Sequence, residues 1–418
     1  MKNQQQFNNG SISKEKKESG VYFILGVLIF FGFYPFNLVG EFFGYTGSGI
    51  SYFVRVMLIA MSFFTIFKYI GNGINKRAAL FLAFVIVLFF IYALRVGYDT
   101  VFQLPSLVDA EEKYIVEYLL ITVLPACSCA FLIKNYNEKL FFEVLSALSL
   151  LSLFLAVSLF SNQLSNQGVL YGSRLATEKV NPIALGAFFS TTFIVGVSFL
   201  LNKNRTLMQK FYAAFICLLC AVFIFFSGSR GALISLLLTL LTYIIFSSKN
   251  KVINFIFIVS SVLLVIPFVI YIADQFFNGI DVFRGFLSVG QTTDMSSQLR
   301  LMSYKHAVEQ FVDNPILGDL LVERVTVYYP HNFFLEILMA LGLLGGLPFF
   351  LYIAGVFYLS IKLMRKSGFG ALVSLLWLQQ LYSLQFSGSV FYNYQFWSYS
   401  IVVGIMYFSF SGKNLKHV

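Results

Sequence analysis

Residues 210–247 read KFYAAFICLLCAVFIFFSGSRGALISLLLTLLTYIIFS. Two apolar runs, 210–227 and 231–247, meet at a short Ser/Gly stretch that carries a single charge, Arg230. Crossing a hydrocarbon core of about 30 Å takes about 20 apolar residues in a helix, and each run approaches that length. The pair therefore reads as two transmembrane helices joined by almost no loop. Working outward, similar runs occupy roughly 21–40, 50–70, 78–95, 114–133, 140–160, 181–201, 252–274, 344–363, 369–386 and 391–410, about twelve spans in all. The runs are near-continuous, without the strict alternation of a membrane β-barrel. A segment isolated in lipid must satisfy its own backbone hydrogen bonds, which makes each run a helix. The expected fold is an all-α polytopic membrane protein. Composition agrees: of 418 residues, 58% are hydrophobic and 11% charged. That excludes a soluble enzyme, a nucleic-acid binder and a disordered chain, since soluble domains carry about a quarter charged residues.

The formal charge of +10 is best sorted by side of the membrane, because cytoplasmic loops collect Lys and Arg. With the N-terminus inside, the inner segments hold nineteen of the 29 basic residues. They include Lys14, Lys16, Lys17, Lys68, Lys76, Arg77, Lys134, Lys203, Arg205, Lys249, Lys362, Arg365 and Lys366. The outer loops are acidic or sparse, as in DTVFQLPSLVDAEEK. The expected layout is a cytoplasmic tail at 1–20, nine spans over 21–274, a long outer loop at 275–343, three spans over 344–410 and a cytoplasmic tail at 411–418. The polar leader is too long and too charged for a cleavable signal peptide. The cysteine pairs 127/129 and 217/220 sit inside apolar runs with no polar surroundings and read as helix-packing residues.

Within the outer loop, Ser297 to Val312 has helical spacing, with Leu301, Tyr304, Val308 and Phe311 on one face. Ser296 or Ser297 caps its start and Asn314-Pro315 ends it. The apolar face points to a helix lying on the membrane surface or across the mouth of a cavity. Asn332 to Leu343 is too short to span and reads as a second surface helix.

Charged residues are costly near lipid and are therefore informative. Glu117 and Glu143 lie within spans, where each can simply face a partner helix. Arg174, Arg230, Arg300 and His331 fall on the outer side. Arg230 sits beside the N-terminus of the following helix, whose free N–H groups and positive end attract anions. Its guanidinium fork matches phosphate oxygens. The competing reading is a snorkelling Arg anchored in headgroups. Arg300, by itself, is as well read as a solvated surface charge. Arg174 precedes the span opened by Asn181-Pro182, and Lys179 can serve the same purpose. His331, in YYPHNFFLEIL, is either a general base exchanging protons near neutral pH or a structural hydrogen-bonding residue. Glu336, five residues on, either orients it or faces water. The outer loops lack a DxD-type acidic pair, so chemistry on a phosphate-bearing donor would rely on arginines where other enzymes use metal.

Four pieces in order resemble the O-antigen ligase/polymerase superfamily. They are Asn181-Pro182 after Arg174, SGSRGA at Ser227 to Ala232, RLMSYKHAVEQFVDNPILG from Arg300 to Gly318, and HNFFLEILMALGLLGGL from His331, in which Gly342 and Gly345 occupy the glycine positions. Asp319 departs from the pattern, where many relatives have a small or apolar residue. The resemblance implies a GT-C-like glycosyltransferase of the bacterial inner membrane working at the periplasmic face, with no cofactor and no metal. It would transfer a glycan from undecaprenyl diphosphate with inversion. The acceptor would be another lipid-linked repeat unit in a polymerase, or lipid-A core in a ligase, and a chain-length regulator would be a further partner. Arg230 with Arg174 and Arg300 would hold the diphosphate, His331 would orient or deprotonate the acceptor hydroxyl, and Asn332 and Glu336 would complete the substrate site. The rival of another class is a lipid-linked oligosaccharide transporter, which would place Glu117 and Glu143 around a central polar cavity.

Overall fold

The computed structural model describes residues 25–30, 32–45, 49–69, 75–103, 113–132, 144, 147–159, 181–202, 205–247, 252, 256, 295–366, 368–390 and 392–410. Both expected tails, the span at 252–274 apart from two residues, Arg174, Lys179 and Glu143 lie outside the described residues.

Every regular element among the described residues is a helix. After a helical stretch at 25–30 come α1 (Tyr34–Phe42), α2 (Gly49–Tyr69), α3 (Lys76–Tyr98), α4 (Lys113–Glu117), α5 (Leu124–Leu132), α6 (Ala147–Leu159), α7 (Pro182–Leu201), α8 (Leu207–Phe226) and α9 (Arg230–Phe246). They are followed by α10 (Met295–Asp313), α11 (Phe333–Met364), α12 (Phe369–Ser383) and α13 (Tyr394–Phe410). Five of these, α2, α3, α7, α8 and α11, are long and apolar enough to cross a membrane. The protein is a helical membrane protein.

Two departures from the sequence reading stand out. The first expected span is broken: Gly32 takes φ 66° and Pro35 sits in the first turn of α1, so the helix at 25–30 ends and a new one starts. The α4–α5 span contains a π-helical turn at Tyr118–Val123. As expected, the helix begun at Phe333 and the span from 344 are separate: α11 is two helices that meet at a kink, with non-helical backbone at Gly342 (φ 59°, ψ −161°). The segment after this kink, Leu343 to Met364, is about 33 Å long at 1.5 Å per residue, enough for one crossing.

The kink leaves backbone groups that an unbroken helix would pair, and the NPILG turn after α10 pairs them. Leu343 N donates to Pro315 O at 2.8 Å and Leu344 N to Ile316 O at 3.0 Å. Asp319 N donates to Met339 O at 2.8 Å. Asp319, the departure from the family pattern, also closes a two-armed pair with Arg324 at 2.6 and 2.7 Å.

The core centres on α12 and α13. Residues 371–381 are all buried, and Trp377, Phe396, Trp397 and Tyr399 have no exposed surface. Small residues let α7 approach its neighbours: Gly196 lies against Cys217, and Gly186 against Ser227 and Ser229. At one end of the bundle Asn75 Nδ2 donates to Phe408 O, and Arg365 Nε to Phe246 O. Lys76, Arg77, Lys362 and Lys366 share this basic end. The opposite end gathers the α7 start, the α8–α9 turn, the α11 start and the α12–α13 connection.

Candidate functional site

At that opposite end, α8 stops at Ser227, whose hydroxyl donates to Ile224 O at 2.7 Å. Gly228 adopts φ 58°, and Ser229 caps α9 by accepting from Ala232 N. Both serines are buried. The turn therefore fixes Arg230 as the first residue of α9, partly exposed. A cation there opposes the positive helix end at a cost of about 0.3–1 kcal/mol. An anion bound at the same place would reverse the sign of that interaction.

His331 takes φ 55°. Its ring packs on Tyr329 at 4.7 Å and Tyr328 at 5.4 Å between centroids. Its Nδ1 is buried with no hydrogen-bond partner among the described residues. Burial lowers its pKa to about 4, helped by the charge of Arg300, so the imidazole is neutral at pH 7. Removing that charge raises the pKa. Arg300→Gln is therefore expected to move the His331 imidazole titration to higher pH in NMR; an unmoved or lower midpoint refutes the coupling.

Asn332 caps α11. Its Oδ1 accepts from Phe334 N and Leu335 N at 3.1 Å each, and its Nδ2 donates to Gln385 O at 3.4 Å. Phe333 N donates to Leu384 O, and Tyr304 OH of α10, one turn after Arg300, donates to Gln385 O at 3.3 Å. On the other side, Gly231 lies against Phe386, with room for no more than a 3.0 Å approach. The turn at 384–386 is thus the common wall on which the elements bearing Arg230, Arg300, His331 and Asn332 converge.

Glu336 does not face water. It is 1% exposed and accepts from Tyr92 OH (2.9 Å), Ser389 Oγ (2.6 Å) and Val390 N (3.1 Å). It ties α3 and the α12–α13 connection to α11. Removing the carboxylate strands the buried donors of Tyr92, Ser389 and Val390, each at about 1–3 kcal/mol. Glu336→Ala is therefore expected to lose most of the detergent-solubilised protein's thermal stability; a melting temperature within a degree or two of wild type refutes this.

The start of α10 differs from expectation. Its helix begins at Met295, ahead of Ser296 and Ser297, which lie within its first turn. Leu301 and Val308 are exposed, as is Val312. The face turned inward carries Ser303, Ala307 and Gln310. Gln310 brackets Val322 O and Arg324 N, and Ser303 Oγ reaches the buried Glu323. Glu323 also accepts from Val325 N, Thr326 N and the Thr326 hydroxyl, folding the loop that leads to His331. Asp99 holds the same loop from α3 by accepting from Leu321 N at 2.8 Å while paired with Arg95.

Sequence reasoning missed the polar side chains of the α12–α13 region, Gln380, Ser383, Ser387 and Asn393, which line a cavity of about 210 Å³. A signal was present: adjacent glutamines in WLQQL are expensive inside a span. Glu117 is not among the residues lining this cavity; it is half-exposed at the head of the π-helical turn.

Residues 215–318 match the family model described as O-Antigen ligase. The matched stretch opens within α8, contains the Arg230 turn and all of α10, and ends on Gly318 at the kink of α11. It bears out the resemblance to the O-antigen ligase/polymerase superfamily for the second and third of the four motifs. No curated protein matches the chain.

Proposed function

We propose that this protein is a glycosyltransferase that polymerises undecaprenyl-diphosphate-linked repeat units of O-antigen or a related polysaccharide at the periplasmic face of the bacterial inner membrane. The reading rests on one observation above the rest: Arg230, Arg300 and His331 sit on elements that meet at the turn 384–386, at the end of the bundle opposite the basic one. Positive loops mark the cytoplasmic side, so the site end is periplasmic and both termini are cytoplasmic.

In this reading the acceptor hydroxyl attacks the anomeric carbon of the donor from the face opposite the diphosphate. The new C–O bond forms as the bond to the phosphate oxygen breaks, inverting the anomeric centre, and the hydroxyl proton passes to His331. Negative charge grows on the departing diphosphate, and Arg230 and Arg300, with Arg174, take it up without metal. Stabilising charge that develops in the transition state is where such donors act most strongly. Asn332 and Glu336 hold the frame of the site, and membrane lipid surrounds the prenyl chain.

The family's description favours a second reading, transfer of the glycan to lipid-A core. Purified protein supplied with the lipid-linked repeat alone separates the two. Extension of the glycan without lipid-A core is expected for the polymerase. Product only when lipid-A core is added establishes the ligase, and no product with either acceptor refutes both. The transporter reading gains no support from the polar cavity, which Glu117 does not line.

A further inference from the structure

Among the described residues, the lining of the polar cavity between α1, α7, α12 and α13 carries no charged side chain. Asn181, Thr191, Gln380, Ser383, Ser387, Asn393 and Gln395 supply amides and hydroxyls, and Phe30, Tyr34 and Phe188 supply ring surface. Its volume of about 210 Å³ is far above the about 10–15 Å³ that a single water needs and leaves room for a sugar ring. Among the described lining residues diphosphate would find amides and hydroxyls but no cation, and a prenyl chain would strand the amides without partners, which is costly. A pyranose fits, because each hydroxyl both donates and accepts and its C–H faces pack on aromatic rings.

Two further observations point the same way. Gln380 is only 6% exposed, and its Oε1 accepts from Asn393 Nδ2 at 3.3 Å, while its Nε2 donors have no protein acceptor among the described residues. A buried amide kept half-committed beside a cavity is a donor waiting for a ligand oxygen. The cavity also adjoins the reaction end. Ser383, Ser387 and Gly388 line it, and the intervening Phe386 packs on Gly231 next to Arg230.

Depth fits as well. The fifteen-residue α12 is about 22 Å long, shorter than the about 30 Å of a hydrocarbon core. Ser387, Gly388 and Asn393 of the connection after it line the cavity, as irregular backbone within a membrane must if it is to persist.

We infer that this cavity is a subsite for one neutral pyranose ring, reached from the side of Arg230. The inference rests on the glycosyl-transfer reading for the source of that ring, which belongs either to the donor or to the acceptor.

The test uses full-length Ser387→Cys protein in lipid nanodiscs, with wild type reporting any reaction at its four native cysteines. The rate of maleimide labelling at position 387 is measured with three probes: lipid-linked oligosaccharide extracted from the native membranes, the glycan released from it by mild acid, and undecaprenyl diphosphate without sugar. At ten times its dissociation constant a ligand in the cavity slows labelling about tenfold. Protection by a sugar-bearing probe and none by the sugarless lipid is the expected result. Protection by the released glycan alone assigns the ring to the acceptor, and protection that needs the lipid-linked form assigns it to the donor. Equal protection by the sugarless lipid, or none by either sugar-bearing probe, overturns the subsite.

The two readings fail separately. Released glycan that protects Ser387→Cys when no donor supports transfer refutes glycosyl transfer and keeps the sugar site. Unchanged transfer by protein already blocked with maleimide at 387 refutes the site and keeps the transferase.

Discussion

Gly342→Ala is expected to prevent the protein from being recovered as a monodisperse, folded species, and Gly318→Ala to do nearly the same. At Gly342 the backbone holds φ 59°, ψ −161°, a region essentially reserved for glycine that costs other residues about 1–3 kcal/mol. A methyl added there would lie within 2.5 Å of Gly318 N and of the Ile316 carbonyl carbon; one added at Gly318 (φ 72°) would lie within 2.5 Å of Ala340 O and Leu341 N. These neighbours are backbone, so no rotamer change relieves the overlap, and overpacking adds about 1–3 kcal/mol more. Together about 4 kcal/mol is at stake, a large part of ordinary protein stability. The two glycines face each other across one contact, and either methyl would push the NPILG turn off the backbone groups exposed at the kink. Gly355→Ala, in the same helix with open space around the added carbon, is the matched control. It should melt no lower than wild type, because alanine is the better helix former by about 1 kcal/mol. Size-exclusion profiles and thermal scans of the three variants decide the matter; a Gly342→Ala protein that melts like Gly355→Ala would show the kink is not needed.

The helices within the expected spans and the Arg230 turn were legible in the sequence for the same reason. Lipid demands long apolar runs, and a Ser-Gly-Ser-Arg-Gly stretch between two of them has a short list of solutions. Asn181, Ser229 and Asn332 could likewise be read as capping residues from their positions alone. The inward face of α10 could not. An apolar stripe on a helix is normally assigned to the protein interior, but Leu301 and Val308 are exposed while Ser303 and Gln310 turn inward. Beside a membrane the usual sorting weakens, because lipid accepts apolar side chains and the protein interior supplies partners for polar ones. Glu336 was hidden for a related reason. Its partners, Tyr92, Ser389 and Val390, lie 244, 53 and 54 residues away, and no local spacing announces them. The sugar-sized cavity needs α12 to be short and central, which follows from its packing partners and not from its own hydropathy.

Arg230→Ala should leave the fold intact and abolish transfer, and that combination separates a functional cation from a structural one. Its helix position argues for retained stability: a guanidinium at the first residue of α9 meets the positive end of the helix, so deleting it relieves about 0.3–1 kcal/mol of unfavourable interaction. Thermal scans should give a melting temperature close to wild type, since truncating a partly exposed side chain usually costs little stability. Turnover should fall by about 10²–10³-fold, the loss typical when one preorganised donor to developing negative charge is removed. Arg230→Lys tests the geometry. It restores the charge but not the planar fork, and a two-pronged phosphate contact should still leave it well below wild type. A snorkelling Arg predicts the opposite pattern, with Lys replacing it fully because a flexible ammonium reaches headgroups equally well. Full-length polymer from the Arg230→Ala protein would remove the diphosphate role from this residue, and with it the principal support for reading the converging cations as a site for a leaving pyrophosphate.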